Sequence, residues 1–183
     1  MVVLMLAAIL AAIAIPGMQT LMQSSNFSSS QVNWLSTLAN ARTEAVTRNL
    51  PVSLCVSADQ STCDGSGTGN WESGWVMFVD DGNGGGIAQD RTRQANEEII
   101  QVGSAFTGDM TLRTRVYPDV EAVMFRANGT AANVGSWVLC DSRGVSAARV
   151  FNVNQVGQVS LAFDSNADGT REAVDGSEVT SCP

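Results

Sequence analysis

The sequence predicts an α+β protein in which one long N-terminal helix is laid on antiparallel β-structure. Three observations predict it. The first fifteen residues, MVVLMLAAILAAIAI, carry no polar side chain, and no charge of either sign appears before Arg42. Beyond residue 50, apolar and polar residues alternate with the period of two that marks half-buried strands. Between those runs stand Gly, Asn and Asp, the residues that turns require.

The helix comes first. A membrane-spanning helix needs about 20 apolar residues. The uninterrupted run here stops at Pro16-Gly17 and is extended by Met18, Leu21 and Met22. No basic leading region and no small-residue cleavage pattern marks it as a secretory signal. From Val32 the apolar residues recur as Val32, Leu35, Leu38, Ala39, Ala45 and Val46, close to helical spacing. Asn49 and Pro51 supply a stop. The Ser-rich SSNFSSSQ between the two halves reads either as a linker or as the loose middle of one helix kinked at Pro16. Such a helix would be about 75 Å long at 1.5 Å per residue. The expected organisation is therefore a hydrophobic helix over 1–22, its amphipathic continuation over 23–50, and a β-rich head over 51–183.

The head follows strand by strand. Val52, Leu54 and Val56 alternate with Ser53, Cys55 and Ser57. Trp75 to Val79 is apolar throughout, the pattern of a strand buried on both faces. Further strands are expected at Ile99–Val102, Met110–Val116, Glu121–Arg126, Ser136–Asp141, Ala148–Asn154 and Gln158–Asp164. In the last of these Val159, Leu161 and Phe163 share a face. Trp71, Trp75 and Trp137 read as packing residues.

Composition removes several chemistries. The formal net charge is -8, and all ten basic residues are Arg, with no Lys and no His. Without His there are no Ser-His or Cys-His nucleophiles, no histidine bases and few catalytic zinc sites. Without Lys there is no Schiff-base chemistry and no phosphate-cradling P-loop. A non-enzymatic protein is expected, with no required cofactor. The acidic balance also disfavours non-specific binding to DNA, which depends on cations that neutralise phosphates.

Two smaller features carry chemistry. Four cysteines allow three pairings. Cys55 and Cys63 suit a local loop closure, which leaves Cys140 with Cys182, and disulfides fit an oxidising compartment. Zinc, the competing use, lacks a histidine or a second close pair. Near the C-terminus, Asp164, Asn166, Asp168, Thr170 and Asp175 have the spacing of a calcium loop, with Gly169 at the sharp turn. The same residues also build polar hairpin turns. Asp80, Asp81 and Asn83 form a weaker echo, read as a turn.

These segments together resemble a known family. MVVLMLAAILAAIAIPGMQTLM resembles the N-terminal helix of type IV pilins and pseudopilins, including a Pro at this depth. LSTLANARTEAVTRNLPVSLCVS resembles the helix-to-first-strand junction of the GspH/FimT/FimU branch, the minor pilins and minor pseudopilins. WESGWVMFVDDGNG and VLCDSRGVSAARVFNVNQVGQVSL are similar to that branch's next strand and its Cys-bearing final hairpins. The resemblance runs nearly end to end and implies a pilin-like fold. It differs at the start, where the leader and first residues of the mature helix expected of the family are absent.

The resemblance implies a structural subunit of a type IV pilus or type II secretion pseudopilus, placed at the tip. Met1, Leu4, Ala8, Ala12, Ile15 and Pro16 would carry assembly. The implied partners are other minor pilins, the major pilin or pseudopilins, the inner membrane, and a prepilin peptidase acting on the precursor. The subunit would be a single-pass inner-membrane protein with a periplasmic head until it enters the filament. An alternative role is a filament-tip module that binds DNA or a surface ligand in the FimT manner. DNA-binding relatives use a Gly-Arg-x-Arg stretch, whereas this chain has Gly157-Gln158-Val159-Ser160 there, which disfavours DNA.

Overall fold

In a computed structural model, residues 2–83, 85–116 and 121–182 are described; the side chains of residues 2–17, 19, 20 and 116 lie outside that description. Helix α1 runs Val2–Arg48, 47 residues, continuous in backbone through the Ser-rich middle. The linker reading of SSNFSSSQ therefore fails. The reason is Phe27, which is buried against the head and ties that stretch down. The helix ends where the sequence signals it. Asn49 takes φ 55°, and the amides of Asn49 and Leu50 bond back to Val46 and Ala45, closing the last turn before Pro51.

Among the described residues eight strands follow: β1 Val52–Val56, β2 Trp75–Val79, β3 Ile99–Gly103, β4 Thr111–Val116, β5 Ala122–Phe125, β6 Gly135–Cys140, β7 Arg149–Val153 and β8 Val159–Leu161. They form two antiparallel four-stranded sheets, ordered β3-β2-β1-β5 and β4-β6-β7-β8. Alternation along a strand specifies which side chains share a face but not which strands share a sheet. The division into two sheets was therefore invisible in the sequence. The last strand is shorter than its pattern predicts. It stops at Leu161, and Phe163 stands 74% exposed instead of joining Val159 and Leu161 on the covered face.

One core spans both sheets and the helix. Val52, Leu54, Met77, Val123 and Phe125 of the first sheet meet Leu112, Trp137, Leu139, Phe151 and Val153 of the second beneath α1. Trp34 is the wedge between them. Its ring centroid lies 5.2 Å from that of Trp71, 6.4 Å from Trp75 and 6.1 Å from Trp137, each edge-on. Edge-to-face contacts of this kind add roughly 0.5–1.5 kcal/mol each beyond the area buried. Trp71, Trp75 and Trp137 are all buried, so they pack as their sequence context implied.

The helix face differs from the stripe read in the sequence. Phe27, Trp34, Leu38, Ala41 and Ala45 are buried, and Leu35 is partly so. Val32 and Val46 are exposed at 64% and 51%, and Ala39 is exposed as well. Counting only from Val32 missed the aromatic pair Phe27 and Trp34. Those two rings, in line with Leu38, Ala41 and Ala45, turn the docked face away from Val32, Ala39 and Val46.

Candidate assembly interface

The helix is fixed to the head at three levels. Nearest the apolar end, Phe27 lies under two guanidinium groups, with Arg143 4.8 Å and Arg149 5.9 Å from its ring centroid. Gln23 donates to Ser142 Oγ at 2.7 Å, and Arg149 Nε donates to Gln31 Oε1 at 3.0 Å. Arg143 is itself held by buried Asp141 at 2.6 Å. Burial works to raise the Asp141 carboxyl, but the hydrogen bonds and charge of Arg143 outweigh it and hold the group below the ordinary range.

The tryptophan cluster is the middle level. At the far end Arg42 reaches from the helix to both sheets. Its Nε donates to the Gly129 carbonyl at 2.9 Å and its Nη2 to the Val156 carbonyl at 3.1 Å. Gly129 lies in the turn after β5, and Val156 in the hairpin between β7 and β8. The two turns touch: a Cβ on Gly157 would run into the Gly129 carbonyl oxygen, and its φ of 75° also favours glycine. Gly157, the start of the stretch weighed for DNA contact, therefore serves close packing here. Arg48 completes this end by pairing with Glu44 and Glu98 at 2.6 and 3.0 Å.

Opposite the docked face, the helix leaves Met18, Leu21, Met22 and Val32 exposed at 59–72%. The exposed apolar residues Met18, Leu21 and Met22 gather toward the N-terminal end, whereas along the docked half the outward side is mostly polar, with Ser25, Ser29, Ser36, Asn40, Thr43 and Thr47 exposed beside Val32. Of the assembly residues expected from the sequence, Met1 and the side chains of Leu4, Ala8, Ala12, Ile15 and Pro16 lie outside the described residues. Among the described residues, no helix is long and apolar enough to cross a membrane.

Two disulfides brace the head, Cys55–Cys63 and Cys140–Cys182. The first ties a loop to the outer face of the first sheet. The second fastens the C-terminal tail over the second sheet, where Val179 packs with Val138, Ala148 and Val150. Each bridge is worth roughly 2–4 kcal/mol through restriction of the unfolded chain, more for the longer loop.

The residues weighed for calcium do not converge on an ion. Among the described residues there is no group of His, Cys, Asp or Glu placed to hold a metal. Asp164 accepts from the amides of Asp168 and Gly169, Asp168 from Thr170, and Asp175 from Ser177. Asn166 donates to Asp168. The side chains that would supply ligand oxygens organise the loop's own backbone instead. The weaker echo resolves differently. Asp80 is completely buried and accepts from Ser53 Oγ at 2.6 Å and from the amides of Gln89 and Arg91 at 2.7 and 2.9 Å.

A half-docked N-terminal helix on disulfide-braced antiparallel sheets defines the class of pilin-like filament subunits. The family described as type II transport protein GspH matches residues 33–157, so the chain belongs to the GspH family of minor pilins and pseudopilins. Among solved structures, the type IV minor pilin FimU of Pseudomonas aeruginosa PAO1 in space group P21 is similar at a TM-score of 0.59 and 18% identity, covering 88% of this chain and 98% of that one. A second FimU crystal form, P65, gives 0.56 and 19%, covering 85% and 99%. The minor pseudopilin EpsH of Vibrio cholerae gives 0.47 and 8%, covering 73% and 94%. Comparison with curated proteins returns no match.

Proposed function

We propose that the chain is a structural subunit, stored in the inner membrane by residues 1–22 and then built into a type IV pilus or type II secretion pseudopilus near its tip. Residues 23–50 are the docked half of the helix, and residues 51–183 are the periplasmic head. Its partners in this reading are other minor pilins and the major pilin or pseudopilins, and a prepilin peptidase processes the precursor. The observation that carries the reading is the asymmetry of α1. One face of its C-terminal half is held to the head at three levels, and toward its N-terminal end the apolar Met18, Leu21 and Met22 stand exposed. In the bilayer an apolar helix is stable because its backbone polar groups are satisfied internally. On extraction the same surface must be covered again, and packing against neighbouring helices covers it. No catalytic group is needed.

Replacing Ala8 or Ala12 with Arg tests this. A charge at the centre of a membrane helix costs about 2.5–3.5 kcal/mol on insertion scales, and it disrupts helix packing as well. The expected result is loss of piliation or secretion, with the melting temperature of the head unchanged. Normal assembly in either variant contradicts the reading. The alternative role, a DNA-binding tip, predicts a mobility shift at physiological salt. No shift below high micromolar protein is expected, given the net charge of -8.

A further inference from the structure

The base of the head gathers arginines whose capacity for hydrogen bonds helix docking uses only in part. Arg149 donates through Nε to Gln31 and through Nη1 to the carbonyls of Ala147 and Ala148, and its Nη2 has no acceptor among the described residues. Arg171 is close enough for its charge to act on Arg149; its carbonyl accepts from the Val179 amide, and its guanidinium has neither hydrogen bond nor ion pair among the described residues. Burial first, then the charges of Arg171 and Arg143, push the Arg149 guanidinium below its ordinary range. One carboxylate, Asp141, is paired with this group, and Arg143 holds it. Like charges gathered in this way are unfavourable unless an anion shares them, more so in a chain of net charge -8.

Phe163 belongs to the same level. Leu161 pairs with Phe151, and Ala162 bonds back to Val150, so the next residue reaches the height of Arg149. Among the described residues it is the most exposed large apolar side chain of the head. Arginines on the polar side and an exposed Phe on the apolar side are a combination found in protein surfaces that lie in the membrane–water interface. The height fits as well. Phe27, on which Arg143 and Arg149 rest, is five residues beyond Met22, or about 7.5 Å along the helix. The polar layer on each side of a bilayer is roughly 5–8 Å thick.

We infer that Arg143, Arg149 and Arg171, with Phe163 at their level, bind the phosphate headgroup of anionic phospholipid while the subunit waits in the membrane. The inference rests on the membrane-stored reading of residues 1–22. A lipid is the occupant because the cations sit where the apolar helix delivers them to the headgroup layer. The carboxylates beside these residues in the chain or in space are engaged: Asp141 by Arg143, Asp164 by the amides of Asp168 and Gly169, and Glu172 by Ser165. Headgroup contact fixes the tilt of the head during storage and is given up when the subunit leaves for the filament.

The test uses the full chain in nanodiscs of phosphatidylcholine alone and of phosphatidylcholine mixed with increasing phosphatidylglycerol, read by amide hydrogen exchange over residues 141–148 and 163–171. Phosphatidylglycerol should slow exchange there, and raised salt should reverse the slowing. Arg171→Gln, which breaks no hydrogen bond or ion pair of the described residues, should raise the half-maximal phosphatidylglycerol content roughly fivefold. Arg149→Gln should do at least as much. An inserted chain that exchanges equally in both lipids overturns the inference and leaves the membrane-stored reading intact. Equal protection by inorganic phosphate in phosphatidylcholine discs overturns the choice of a lipid. A chain that fails to enter nanodiscs overturns both.

Discussion

Two acidic, glycine-bearing loops, residues 80–98 and 164–178, look alike in composition and end in opposite physical situations. In the first, Asp80 is 0% exposed and Glu97 1% exposed. Glu97 accepts from the amides of Gly82 and Gln94 at 2.9 and 2.8 Å, and Arg93 donates to the carbonyls of Ser61, Ala95 and Glu97. In the second, Asp164 is half-buried and Asn166 and Asp168 are exposed, and they bond within their own turn. One loop is a plug packed on the outer face of the first sheet, while the other is a surface hairpin. The contrast shows that a carboxylate's worth is set by what would be left unpaired without it.

The widest difference should appear on truncation. Asp80→Ala leaves the buried Ser53 hydroxyl and the Arg91 amide without their acceptor, while the Gln89 amide keeps the Asp80 carbonyl, at a cost of about 2–5 kcal/mol. Asp164→Ala leaves two amides that water can reach, at a cost under about 1 kcal/mol. Urea denaturation of the two variants measures both. Equal effects would mean that the first loop opens readily and is no plug.

The loops also respond to pH in opposite senses. Burial, opposed by two backbone hydrogen bonds and reinforced by Asp80 and Asp90, raises the Glu97 carboxyl above its ordinary 4.5. The folded state then binds a proton more tightly than the unfolded state. The contribution of Glu97 is present below about pH 4.5 and is lost as pH rises through the higher folded value. Asp168 is lowered to about 2 by hydrogen bonds from Thr170 and Asn166, so its contribution is present above pH 3.8 and is lost as pH falls. Stability measured against pH should lose its decline above pH 4.5 in Glu97→Gln. Asp168→Asn should flatten the rise between about pH 2 and 4 instead, by a smaller amount because the group is exposed.

What was legible in the sequence follows the same division. The helix, its stop at Asn49-Pro51, the strands and the cysteine pairs all rest on local pattern or spacing, and they stand in the structure near where the residues put them. The functions of Asp80, Glu97 and Arg42 rest in part on partners 15 to 114 residues away, and no local signal marks those. The docked face of α1 was misread because Phe27 sits alone in a serine run and gives no periodic signal. The arginines at the base were likewise invisible, since Arg143, Arg149 and Arg171 meet only through the folding of the second sheet and its tail.

The smallest expected effect concerns calcium, and it completes the comparison. An ion would have to take Asp164, Asn166, Asp168, Thr170 and Asp175 away from the amides and hydroxyls they now engage. Stabilisation by a ligand scales as RT ln(1 + [L]/Kd), so a site that must first dismantle its own hydrogen bonds yields little at millimolar ion. Melting curves with added calcium and with chelator should therefore coincide within about 1 °C. A calcium-dependent rise well beyond that, abolished by Asp168→Asn but retained in Asp80→Asn, would show that the surface loop rearranges around an ion. The two loops would then differ in kind, one closed by protein donors and the other by metal.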